Sequence, residues 1–78
     1  MGIIHITPMQ LKTLQEIKKW FGEDIGRGPY QYELGERMNK SQSTMKNHLH
    51  KLKVRGFISF SRSAGSITIT PLGESVLE

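Results

Sequence analysis

Apolar residues in the first third of the chain recur at helical steps. Leu11, Leu14, Ile17 and Phe21 are three and four residues apart, with Trp20 flanking them. That spacing lines one face of a helix, predicted from about Pro8 to Phe21. Its start is well marked. Thr7 is a good N-cap, Pro8 suits the first helical position, and Gln10 completes a T-x-x-Q capping box. Ile6 and Leu11 stand where a hydrophobic staple places its two residues. Ile3, Ile4 and Ile6 predict a short extended segment ahead of the helix. The stretch "GEDIGRGPY" that follows is rich in Gly and holds a Pro, so it reads as a loop. A second, shorter helix is predicted from about Gln31 to Met38, with Leu34 and Met38 on one face. Gly35 inside it costs roughly 1 kcal/mol against Ala, and a helix keeps such a Gly where another backbone passes close by. Asn39 tolerates the left-handed conformation of a helix C-terminus. Only "NKS" separates this helix from the next, as in a helix-turn-helix.

The third helix is predicted from about Gln42 to Val54, capped by Ser41 or Ser43. Projected at about 100° per residue, Met45, Leu49 and Leu52 share one face, with His48 at its edge. Ser43, Asn47, His50 and Val54 point the opposite way, flanked by Lys46 and Lys51. Past Gly56 the period changes to two. "FISFS" and "SITIT" alternate, and "RSAG" between them supplies a turn, so the pair reads as a β-hairpin. A two-stranded hairpin needs the helices to pack against. Thr70-Pro71 repeats the helix-start signal and opens a short final helix. The fold class is therefore α+β, one domain spanning residues 1–78: a three-helix bundle, a C-terminal β-hairpin and a short final helix. Trp20, Phe21, Phe57 and Phe60 fall at core positions of the pattern.

Charge changes this picture because of where it sits. The chain has 78 residues and a formal net charge of +4. Up to Asn39, Lys12, Lys18, Lys19, Arg27 and Arg37 balance Glu16, Glu23, Asp24, Glu33 and Glu36. From Lys40 to Arg62 there are Lys40, Lys46, Lys51, Lys53, Arg55 and Arg62, and no acid at all. Clustered positive charge is the footprint of a polyanion partner. Other classes find little support. The absence of cysteine removes disulfides and thiolate metal sites. No cofactor or metal is expected, and no small-molecule ligand. No acid–base pair, nucleophile constellation or phosphate-cradling Gly-rich loop points to an enzyme. No apolar run would span a membrane, and "MGIIHITPMQ" lacks the marks of a signal peptide. The expectation is a cytoplasmic, nucleoid-associated protein.

With these elements in order, the chain resembles the winged helix-turn-helix family, and specifically the DNA-binding domain of LexA-type repressors. The carriers are "ITPMQLKTLQEIKKW", "ELGERM" and "SQSTMKNHLHKLKVRGFI". Within the last, Ser43-Thr44, His48-Leu49, Leu52 and Gly56-Phe57-Ile58 follow the family pattern. The ending "ITITPLGESVLE" is similar to the end of the wing and the following helix in MarR-type regulators. Asn39 stands where the family commonly has Gly, and the loop before helix 2 differs. No self-cleaving protease half follows, so damage-response switching by autocleavage is not implied.

The resemblance implies a transcriptional regulator, repressor-like, that binds double-stranded DNA with its third helix in the major groove and its wing on the backbone or minor groove. Asn47 is the best candidate reader, because its amide donates and accepts in the pattern adenine presents. Gln42 offers the same from the helix start. Ser43 and His50 suit base or phosphate, and Lys46 suits guanine or phosphate. Ser41, Ser43 and Thr44 lie near the helix N-terminus, which favours a phosphate oxygen. Lys40, Lys51 and Lys53 suit backbone contacts that fix register. Arg62 and Ser63 open the hairpin turn, where an Arg can enter a narrow minor groove. One of Tyr30 and Tyr32 either donates to a phosphate or packs. A homodimer, joined through residues 1–6 and 71–78, would read two half-sites. The competing expectation is a winged-helix protein-interaction module without sequence readout. Recognition of RNA or left-handed duplex ranks lower.

Overall fold

A computed structural model of the chain describes residues 6–61 and 65–77. It is an α+β arrangement of four helices and a two-stranded antiparallel hairpin. The order is α1 (Pro8–Phe21), α2 (Gln31–Met38), α3 (Gln42–Val54), β1 (Ile58–Phe60), β2 (Ile67–Ile69) and α4 (Pro71–Leu77). Ile3 and Ile4 lie outside the described residues.

Each helix begins and ends for a local reason. At α1 the Gln10 N–H donates to Thr7 Oγ1 at 3.1 Å, and Gln10 Oε1 accepts from the Thr7 N–H at 3.2 Å. The capping box is thus closed in both directions. Helix α2 starts with Glu33 accepting from the Tyr30 N–H at 3.0 Å. It stops at Asn39, which is left-handed at φ 55° and ψ 48°. Lys40 then returns its N–H to the Gly35 carbonyl at 2.9 Å. Helix α3 is capped by Ser41, whose Oγ accepts from the Thr44 N–H at 3.3 Å. Gly35 is explained by the same turn. A Cβ there would sit 2.5 Å from Gln42 Nε2 and 3.1 Å from the Lys40 carbonyl oxygen. The start of α3 therefore lies directly on α2.

The core gathers Leu14 and Ile17 of α1, Leu34 of α2, Met45, Leu49 and Leu52 of α3, then Phe57, Ile58 and Ile67. Ile6, Met38, Phe60, Ile69, Val76 and Leu77 pack on its margin. Strands β1 and β2 pair with Ile58 opposite Ile69 and Phe60 opposite Ile67. The outer face between them is closed by a 2.8 Å contact of the Ser59 and Thr68 hydroxyls. The Ile67 N–H faces away from β1 and donates to the Pro29 carbonyl at 2.8 Å. The Gly-rich loop thereby lies against the outer edge of β2. Phe21 departs from expectation, being 44 % exposed. Trp20 takes the inward place at the end of α1, and the next residue is turned by about 100° onto a hollow edged by Thr68 and Ile69.

Helix α4 returns to the bundle. Thr70 Oγ1 accepts from the Gly73 N–H at 3.1 Å, and Lys18 of α1 meets Glu74 at 2.6 Å. Gly73 and Gly28 are both at close approaches. A Cβ would lie 2.2 Å from the Phe57 carbonyl oxygen at Gly73, and 2.0 Å from that of Ile67 at Gly28. Neither backbone can yield alone. We predict that Gly28→Ala and Gly73→Ala each destabilise the fold by about 1–3 kcal/mol, measured by urea denaturation. A neutral result at both would contradict this packing.

Candidate nucleic-acid interface

The buried stripe of Met45, Leu49 and Leu52 decides what α3 shows to solvent. Ser43, Lys46, Asn47, His50, Lys51 and Val54 are all exposed on its outer side. Lys40, Ser41 and Gln42 are exposed in the turn and first helical residue, and Thr44 is half-buried. The residues the sequence marks on α3 and its turn are thus brought together on one element. Arg62 and Ser63 lie outside the described residues.

The N-terminal polar groups of α3 have defined partners. Ser41 Oγ lies 2.9 Å from Thr44 Oγ1, to which it donates, and 3.3 Å from Ser43 Oγ. Gln31 Nε2 of α2 donates to the Gln42 carbonyl and to Gln42 Oε1, each at 3.2 Å. Gln42 thus serves as a clamp on α2, and its side-chain oxygen is engaged. Asn47, Lys46, His50 and Lys51 carry no such ties among the described residues.

Electrostatics sharpen the contrast between α3 and the rest. Arg27 grips Glu33 through two contacts of 2.7 and 3.0 Å. Arg37 grips Glu23 through two of 2.6 Å. Both guanidiniums also lie over the Trp20 ring, at 5.5 and 4.5 Å, and the Trp20 Nε1–H donates to the Arg27 carbonyl at 2.7 Å. The hydrogen bonds from Arg27 and Arg37 hold the Glu33 and Glu23 carboxyls below their ordinary value, and both arginines are raised in return. The acids near the bundle's arginines are thereby consumed locally. Among the described residues, no carboxylate forms a salt bridge with Lys40, Lys46, Lys51, Lys53 or Arg55.

Helix α3 stands as a ridge between two hollows. One, of about 430 Å³, lies towards α2 and the hairpin, between Gln31, Lys46, Lys53 and Phe60. The other, of about 350 Å³, lies towards α1, between Gln10, Lys51, Val54 and Arg55. His50 borders both. Gln31, Phe60, Gln10 and Arg55 were not among the residues marked from sequence. Each reaches the ridge from another element or its end, and no local spacing signals that. For Phe60 the strand alternation points inward, to the core margin where it packs, and does not signal that it also edges this hollow.

Among the described residues, no group of three or more His, Cys, Asp or Glu could hold a metal ion. No described helix is long and apolar enough to cross a membrane. Compared with known proteins, the chain matches no family model, and no curated protein matches it.

Two predictions follow from how the charges are partnered. Lys46→Ala and Asn47→Ala are expected to shift the unfolding free energy by less than about 0.5 kcal/mol, since neither side chain supports the fold; urea melts check this. The acidic pairs behave oppositely. Because the folded carboxyls of Glu23 and Glu33 titrate below their ordinary value of 4.5, the unfolded chain takes up their protons first as the pH falls. Their stabilisation is full above that value and fades through the folded values below it. The difference in stability between the parent and Glu33→Gln should therefore shrink on going from pH 7 to pH 3. A constant gap would count against the Arg27–Glu33 pair.

Proposed function

We propose that this chain is a sequence-specific double-stranded DNA-binding protein of the winged helix-turn-helix type, acting as a repressor-like transcriptional regulator. One observation carries the reading: the outer face of α3 is exposed, cationic and free of acid, while Arg27 and Arg37 are already paired with glutamates. Four helices with a two-stranded hairpin, and a tight turn that seats α3 on α2, are compatible with that fold. A face of this kind on an 8.9 kDa chain suits a polyanion.

In this reading α3 enters the major groove, which is about 12 Å wide and admits one helix. Asn47 pairs its amide with an adenine edge. Ser43 and His50 lie along the same stripe, and Lys46 reaches guanine or phosphate. Lys40 and Lys51 hold the backbone and set register without reading sequence. The start of α3, at Ser41, Ser43 and Thr44, offers its N-terminal dipole to a phosphate. Gln42, clamped by Gln31, fixes the angle at which the helix leaves α2. Arg62 and Ser63, by their place in the sequence, belong to the wing's turn and its backbone or minor-groove contact.

Selection from random duplex at physiological salt is the direct test, and enrichment of a defined site is the expected outcome. Lys46→Glu should then weaken binding to every duplex and flatten the salt dependence by about one unit per lost phosphate contact. Asn47→Ala should relax the preference at one base pair, worth about 1–3 kcal/mol there. If nothing is enriched and both variants bind duplex like the parent, the reading fails. An interaction module without sequence readout would then be favoured.

A further inference from the structure

The hollow between α1 and the end of α3 has an arginine built into it that the charge run includes but whose supports only the fold shows. Arg55 closes α3 as its C-cap residue. Its Nη1 donates to Gln10 Oε1 at 3.1 Å, and its guanidinium carbon lies 5.0 Å over the Phe57 ring. Both supports are themselves fixed. Phe57 is buried, and Gln10 is only 6 % exposed, with the same oxygen tied into the α1 capping box. Neither support is an acid. The guanidinium is thus oriented but not neutralised, and it remains exposed beside Lys51. Arginine presents five N–H donors, and the donor to Gln10 is the only one engaged among the described residues. An exposed arginine held by neutral groups suits an oxyanion, because little rotamer freedom is lost when it binds.

The opposite hollow repeats the arrangement with lysine. Lys53 Nζ lies 5.3 Å over the Phe60 ring, beside Lys46 and Gln31. A row of cations therefore stands on each flank of the α3 ridge. With side chains a helix is about 10–12 Å across, close to the width between the two backbones that border a major groove. A single strand has one row of phosphates and can occupy only one hollow at a time.

We propose that Arg55 and Lys51 form a phosphodiester seat for one strand of a duplex, while Lys46 and Lys53 take the other strand across α3. This rests on the reading of α3 as a duplex-binding helix. It adds Arg55, preoriented by Gln10 and Phe57, as a ligand, and it divides the cations between strands.

The test uses the full chain, a short duplex of arbitrary sequence and one of its isolated strands, titrated over a range of salt. On duplex, Arg55→Gln and Lys53→Gln should each lower the slope of log affinity against log salt by about 0.9, and the double variant by about twice that. On the single strand the double variant should lose no more than one contact, about 0.7. Arg55→Lys should keep the parent's slope, since it keeps the charge, and bind more weakly because the held geometry is gone. A parent-like slope for Arg55→Gln on duplex overturns the seat, and loss of two contacts on the single strand overturns the division between strands. If Arg55→Gln unfolds, Lys51→Gln reads the same hollow without touching Gln10, and a parent-like slope there overturns the seat equally. Should Lys46→Glu still weaken duplex binding while the seat variants do not, only the seat is lost. Failure of the parent to bind duplex removes both.

Discussion

Burial of Met45, Leu49 and Leu52 against Leu14, Ile17 and Leu34 is the constraint on which the rest of this molecule depends. Fully burying a side chain of this size contributes about 1.5–3 kcal/mol. A chain of 78 residues has a net stability of only a few kcal/mol, so this one stripe is a large share of what holds the bundle closed. It also sets direction. Once three side chains at helical spacing are turned inward, Ser43, Asn47, His50 and Val54 have no choice but to face out. Rolling α3 by one residue would drive Lys46 or Lys53 into the core without a partner, and burying an unpaired charge outweighs any single apolar contact. The cationic face is therefore held by the oily one.

The molecule treats its charges in two ways. Around Trp20, arginine and glutamate are paired, doubly hydrogen-bonded and set over an aromatic ring. That cluster braces the end of α1, the Gly-rich loop and α2 against each other. Around α3, the cations are supported by neutral groups instead. Phe57, Phe60 and Gln10 position Arg55 and Lys53 without cancelling them. A positive group that is held in place but not neutralised keeps its attraction for an anion while having less freedom to lose on binding. Exposed ion pairs contribute little to stability, so leaving these cations unpaired costs the fold little.

The turn between α2 and α3 shows how local and non-local requirements meet. Asn39 supplies the left-handed residue, Ser41 the cap, and Gly35 the space. Each choice is visible within a few residues of sequence. What they accomplish together is to seat the first turn of α3 on α2, where Gln31 can reach Gln42. Helix α4 uses the same device. Thr70 caps it, and Gly73 lets it lie on the Phe57 carbonyl.

Which parts of this were legible beforehand follows from the range of the forces involved. Helix bounds, the Thr7–Gln10 box, the Asn39 stop, the alternation of the two strands and the buried stripe of α3 are set by neighbours within about four residues, the reach of helical and turn hydrogen bonds. The sequence alone determined them, and with them the exposed cationic face. It left Ser41 and Ser43 open as caps and misjudged Phe21, because a residue at a helix end can be outcompeted for the interior by its neighbour. Only the tertiary structure decided which distant partners meet. Gln10 with Arg55, Gln31 with Gln42, the Pro29 carbonyl with the Ile67 N–H and Glu23 with Arg37 depend on how whole elements are oriented, and the spacing within either segment does not name the partner. Periodicity states which face is buried; it does not state what lies against the edges of that face.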